Sequence, residues 1–211
     1  MKSPWSILLP MITPAVVLSL LGLVGCSSGS SAPAAMPGAS SDAAAIVDAG
    51  VDAEDFMATE ATFDCLKGSE WTQVGLSYFK NTLGHTDEML AVVRSPEGGT
   101  LPVGTVVQLI PTEASVKRGP GFSAASHDWE FFSLGVSSTG TTITARGGDA
   151  HVVSSLNGAS CIGCHGLAAP QWDLLCGDPD GGSTSHGCAS LGPLATPANI
   201  MSIQSSDPRC P

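Results

Sequence analysis

Cys161, Cys164 and His165 fall within five consecutive positions, CIGCH, of the stretch NGASCIGCHGLAAP (157–170). Two thiols and an imidazole this close suit four kinds of chemistry: a zinc clip, a thiol redox pair, a disulfide beside a bystander histidine, or covalent attachment of haem. The pattern C-x-x-C-H is the signature of the last. In such a site the thiols add across the two vinyl groups of the porphyrin, and the adjacent imidazole reaches the iron from one face. A zinc site needs two further ligands at ligand-like spacing. His151 and His186 are available, but neither sits in a paired motif. A thioredoxin-like pair belongs in a βαβ setting, which the strand pattern below lacks. The expectation is one haem c per chain, carried by Cys161 and Cys164, with His165 as the iron ligand.

Such chemistry requires export, and the N-terminus has the shape for it. The chain opens MKSPWSILLPMITPAVVLSLLGLVGCSSGSS, with one early cation, Lys2, then an apolar run, then small residues. That is the pattern of a secretory signal. A membrane-spanning helix is the alternative, but Pro10 and Pro14 interrupt the run and no cationic stop-transfer cluster follows. The run ends LVGC, which resembles the lipobox of bacterial lipoproteins, where cleavage precedes a cysteine that then carries diacylglycerol. Cys26 is the expected lipidation site, and Ser27 after it favours the outer membrane over retention in the inner one. Residues 27 to about 60 are dominated by Ala, Ser, Gly, Pro and Asp, too poor in large apolar groups to offset their ordering entropy. The predicted organisation is a signal peptide over 1–25, a lipidated flexible tether over 26–60 and one domain over 61–211, lipid-anchored in the cell envelope and facing the periplasm.

Outside the cytoplasm unpaired thiols oxidise. The chain has seven cysteines. With Cys26 assigned to lipid and Cys161 and Cys164 to haem, Cys65, Cys176, Cys188 and Cys210 remain, an even set with three possible pairings. The pairing Cys176–Cys188 closes a short Gly-rich loop, and Cys65–Cys210 ties the ends of the domain together. A Cys161–Cys164 disulfide would also leave an even number, so the count alone does not choose. The 8 Lys+Arg against 19 Asp+Glu give a net charge of −11, which phosphate backbones repel, so nucleic acid is not an expected partner.

The elements that must position the motif read as mainly β. Residues 71–79, 89–95, 104–112, 128–136 and 141–147 are rich in β-branched and aromatic side chains and are punctuated by Gly, Pro, Ser and Asn. The SSTG between the last two predicts a hairpin. Strands close in sequence favour an antiparallel sheet. The motif itself, about 158–168, reads as one or two helical turns near the C-terminus, and the chain from 176 onward as loop.

Five stretches in this order, EWTQVG, LPVGTVVQLIP, EASVK, HDWEFFSLGV and CIGCHG, resemble the cytochrome P-460 and cytochrome c′-β family over about residues 70 to 175. The resemblance implies an antiparallel β fold, a single c-type haem and His165 as the one protein ligand on iron. It also implies scaffold roles for Trp71, Gly104, Asp128 and Trp129. The hydroxylamine-oxidising branch cross-links a lysine to the haem five residues after the glycine of the GT step. Here that position is Leu109, and neither Lys80 nor Lys117 fits the pattern. Leu109 suits the c′-β branch, whose open iron face is apolar. Phe79, Phe122, Phe131 and Phe132 are candidates for its lining; period-2 alternation allows only one of the adjacent pair to touch haem, and Phe131 is assigned to it. The leading expectation is a small diatomic ligand such as NO or CO, or a redox role. The alternatives are an electron-transfer cytochrome with a sixth ligand from Met57, Met89 or Met201, and a hydroxylamine-oxidising enzyme.

Overall fold

The computed structural model describes residues 54–177, 185–188 and 196–211. All lie in the second of two units into which the chain divides, Met1–Val47 and Asp48–Pro211. The proposed signal peptide and Cys26 lie outside the described residues.

Six strands form one antiparallel sheet: β1 (Thr72–Val74), β2 (Ser77–Asn81), β3 (Thr105–Gln108), β4 (Glu113–Lys117), β5 (Trp129–Ser137) and β6 (Gly140–Gly147). Their order across the sheet is their order in the chain. Three short helices accompany them: α1 (Thr86–Val93), α2 (Cys161–His165) and α3 (Pro197–Ser205). The expected mainly β, antiparallel class with a short helical motif segment is what the chain adopts. The hairpin at SSTG also forms, with Ser137 opposite Gly140.

Local chemistry explains where the reading of the chain departs from its structure. The stretch 71–79 splits into β1 and β2 because Gly75, at φ +59°, opens a two-residue loop between Val74 and its partner Ser77. The EASVK segment is a strand in its own right, β4, paired with both neighbours. The stretch 89–95 is not a strand. It lies mostly within α1, which begins upstream with Asp87 and Glu88 in its first turn and buries Met89 and Val93, the spacing that places two side chains on one helix face. The tail is not all loop either. Thr196 caps α3 by accepting a hydrogen bond from the Asn199 backbone, and Pro197 occupies its first turn.

Both faces of the sheet are covered, so strand alternation sorts the side chains into two cores. One contains Phe79, Met89, Val93, Leu101, Val107, Trp129, Phe131, Val152, Cys161 and Leu174. The other contains Phe63, Leu66, Trp71, Val106, Val116, Phe132 and Leu134. There the Phe63 and Phe132 rings lie 4.9 Å apart. The second core is closed by the segment at the start of the described domain. Arg118 donates from Nε and Nη2 to the two carboxylate oxygens of Asp55 at 2.9 and 2.7 Å, and Gly119 N–H donates to Asp55 at 2.6 Å. Residues at the end of the expected tether are therefore fastened to the sheet. Gly104 enters β3 at φ +79°, where an added Cβ would stand 2.7 Å from Leu83 Cγ, so only glycine fits. Both expected disulfides are formed, Cys65–Cys210 and Cys176–Cys188.

The Arg118 guanidinium holds the Asp55 carboxyl well below the usual carboxylate range. A depressed folded value means that this stabilisation is complete above the unfolded value near ~3.9 and is lost as pH falls below it. Thermal unfolding followed from about pH 6 down to about pH 2 should show a decline that Asp55→Asn flattens. An identical acid profile in that variant would dismiss the clamp.

Candidate functional site

The motif helix α2 is built onto the chain that precedes it. Val152 O accepts from Cys161 N–H at 2.9 Å and Ala159 O accepts from Ser154 N–H at 2.8 Å. Val153 and Ser160 form an antiparallel bridge. The Ser160 hydroxyl caps the helix by accepting from Gly163 N–H at 3.2 Å. One helical turn then sets Cys161, Cys164 and His165 on a common side, since positions three and four apart are neighbours.

Of the six described cysteines, four are in disulfides and two, Cys161 and Cys164, are free. Cys161 is buried in the core that contains Phe131. Burial, assisted by the charges of Glu113 and Cys164, pushes its thiol up to about 11. A thiol so reluctant to ionise is a poor nucleophile for disulfide exchange. The Glu113 carboxylate is held nearby in the chain's fold by the hydroxyls of Ser154 and Ser155 at 2.9 and 2.8 Å and by the Ser155 backbone N–H.

His165 is the best-defined member of the group. Its Nδ1–H donates to Leu174 O at 2.7 Å, which leaves Nε2 as the lone-pair nitrogen. Its ring centroid lies 5.1 Å from that of Phe131. Burial lowers its affinity for a second proton, against the opposing pull of the Leu174 carbonyl and Glu113, so the imidazole is neutral near neutral pH. A ring nitrogen hydrogen-bonded to a carbonyl while the other keeps its lone pair is the usual arrangement of a metal-ligating histidine. The acceptor turn is itself held in an unusual shape: Asp173 and Leu174 both have left-handed backbones, at φ +47° and +62°.

The loop after the motif is clamped. His186 stacks on Trp172 with centroids 3.7 Å apart, its Nδ1 donates to Leu175 O at 3.0 Å, and the Cys176–Cys188 disulfide closes the loop. His186 is thus engaged with the loop after the motif, and His151 pairs with Asp149. Among the described residues, no three His, Cys, Asp or Glu side chains are placed to hold a metal ion together.

The expected pocket residues divide. Phe131 stands beside His165, and Phe79 shares the core of Cys161. Phe132 faces the opposite core, and Phe122 lies under the Arg118 guanidinium. Leu109 is not in the core of Cys161 and Phe131. It packs with Leu76, Leu156 and Ile203 around Ile110 and Ile200 of α3. Of the three candidate methionines, Met57 and Met201 are exposed, whereas Met89 is fully buried in the core that includes Cys161. Sequence reasoning missed Leu174, Asp173 and Glu113. Nothing local marks the first two, because what they contact lies far away in the chain or is made by a backbone atom.

No family model, curated protein or solved structure matches this chain.

Proposed function

We propose that this chain is an exported c-type haem protein of cytochrome c′-β kind that binds a small diatomic gas or acts in redox. The observation that carries the reading is His165. Its Nδ1–H is committed to Leu174 O while two unpaired cysteines share its helix, in a domain whose other cysteines are disulfide-bonded. Haem, when bound, supplies an iron that takes up NO or CO or passes single electrons. Cys161 and Cys164 would hold it covalently, and His165 would present Nε2 to the metal. The Phe131 ring limits how far that imidazole can turn, and Cys161 is embedded in an apolar core. The disulfides suit an oxidising compartment, and with the N-terminal signal they support a lipid anchor at Cys26 in the cell envelope. A cationic or neutral redox protein is a partner that the net charge of −11 allows.

One observation favours a second reading, an electron carrier: of the three candidate methionines, Met89 alone is buried in the core that includes Cys161. A single optical experiment separates the two. For the first reading, the reduced protein should show a broad high-spin visible band that sharpens with CO or NO, and mass spectrometry should find a mature chain beginning at an acylated residue 26. A low-spin ferrous spectrum that ignores CO, and becomes CO-responsive in Met89→Leu, would establish the carrier. Purified wild-type protein with zinc and no haem would overturn both.

A further inference from the structure

We infer that the Lys117–Asp173 ion pair is a positioning device for His165: it pins the turn whose carbonyl fixes the tautomer and direction of the imidazole. The inference rests on the haem reading for its purpose, but its atoms are independent of it. Lys117, on β4, reaches across to the turn after the motif. Its ammonium donates to both Asp173 carboxylate oxygens at 2.8 Å and to His127 O at 2.7 Å. It also lies 5.3 Å from the Trp129 ring centre. The two side chains of the pair are 7% and 6% exposed. Asp173 is held twice more: its carboxylate accepts from Leu101 N–H at 2.9 Å, and its own carbonyl accepts from Trp129 Nε1–H at 2.7 Å.

The next carbonyl along is the one that accepts from His165. Two consecutive non-glycine residues in left-handed conformation persist only where their surroundings over-determine them. The buried contacts of Asp173 do so. Freed of them, Leu174 favours negative φ, its carbonyl rotates, and Nδ1 loses its acceptor. A neutral imidazole without that acceptor exchanges between tautomers, and Nε2 no longer presents a fixed lone pair. A hydrogen-bonded Nδ1–H also makes the opposite nitrogen a stronger donor to a metal. Lys117 and Asp173 thus set both the aim and the strength of the ligand without touching it.

The test uses the full chain with 15N-labelled histidine, prepared without haem, so that the ring nitrogens report their protons by NMR. Wild-type His165 should be a single species, protonated on Nδ1 and bare on Nε2. The double variant Lys117→Met with Asp173→Asn removes both charges together and so leaves neither buried alone. It should fold by circular dichroism and show His165 as a tautomer mixture. In haem-loaded protein the iron–histidine stretch of the ferrous form should fall to lower frequency in the same variant. A wild-type ring protonated on Nε2 overturns the proposal even if no variant folds. So does a folded double variant whose ring stays wholly on Nδ1–H. Failure of the chain to take up haem would sink the functional reading and leave the NMR outcome to decide this one.

Discussion

Replacing Cys161 and Cys164 together by alanine should abolish covalent haem retention. Wild-type protein, denatured and run on a gel, should keep peroxidase-active haem stain and give a c-type pyridine haemochrome; the double variant should lose both signals completely. The size of the effect follows from the chemistry. A thioether would survive denaturation, whereas coordination by His165 would not, so nothing else would hold the group once the fold is gone. Each single variant should retain a stained band through its remaining thiol. The pair Cys65→Ser with Cys210→Ser is the matched control: it also removes two cysteines but leaves α2 untouched, so its stain should persist. A wild-type protein that releases all its haem on denaturation would refute covalent attachment, and staining that survives the loss of both motif cysteines would show that they are not the attachment points.

Glu130→Ala should destabilise the domain by about 3–5 kcal/mol, the usual consequence of removing one partner from a buried charge cluster. Glu130 accepts from Arg118 Nη1 at 2.7 Å and from Arg146 Nε and Nη2 at 2.6 and 3.0 Å. Its side chain is 4% exposed and that of Arg118 8%. Deleting the carboxylate leaves the Arg118 charge in a dry setting with Asp55 alone, while Arg146 keeps its bond to Ala58 O. Against a domain stability of about 5–15 kcal/mol, that is a large fraction. Urea unfolding should report it as a lower midpoint with an unchanged slope. A single-variant change below about 1 kcal/mol would mean that the cluster is better hydrated than its burial implies.

What the sequence makes legible is what local spacing encodes. The motif reads correctly as helix because its groups lie within one turn, and the cysteine pairing emerges from parity and loop closure. The 89–95 stretch misleads because its valines mimic a strand, while the acidic first turn that marks a helix lies upstream at Asp87 and Glu88. The Thr196–Pro197 start of α3 is a legible cap, obscured by the Gly- and Ser-rich residues before it. Phe131 and Phe132 separate by simple alternation. Leu109, in contrast, is placed by counting from a glycine, and β3 ends at Gln108, so strand alternation no longer governs it. The support beneath His165 is illegible for a different reason: Lys117 and Asp173 are 56 positions apart, and the atom that meets the imidazole is a backbone oxygen, which every residue has.

The Cys65–Cys210 bond joins residues 145 positions apart, and all six strands and the motif helix lie between them. The domain is in effect a covalent ring. A protease that cuts any one exposed loop inside it opens the ring but releases no fragment, so a nicked molecule keeps its full mass until reduced. The two ends of the ring cannot drift apart when the sheet breathes, and every segment that frays does so between fixed points. A single proteolytic event inside the ring therefore leaves the two pieces joined rather than separated.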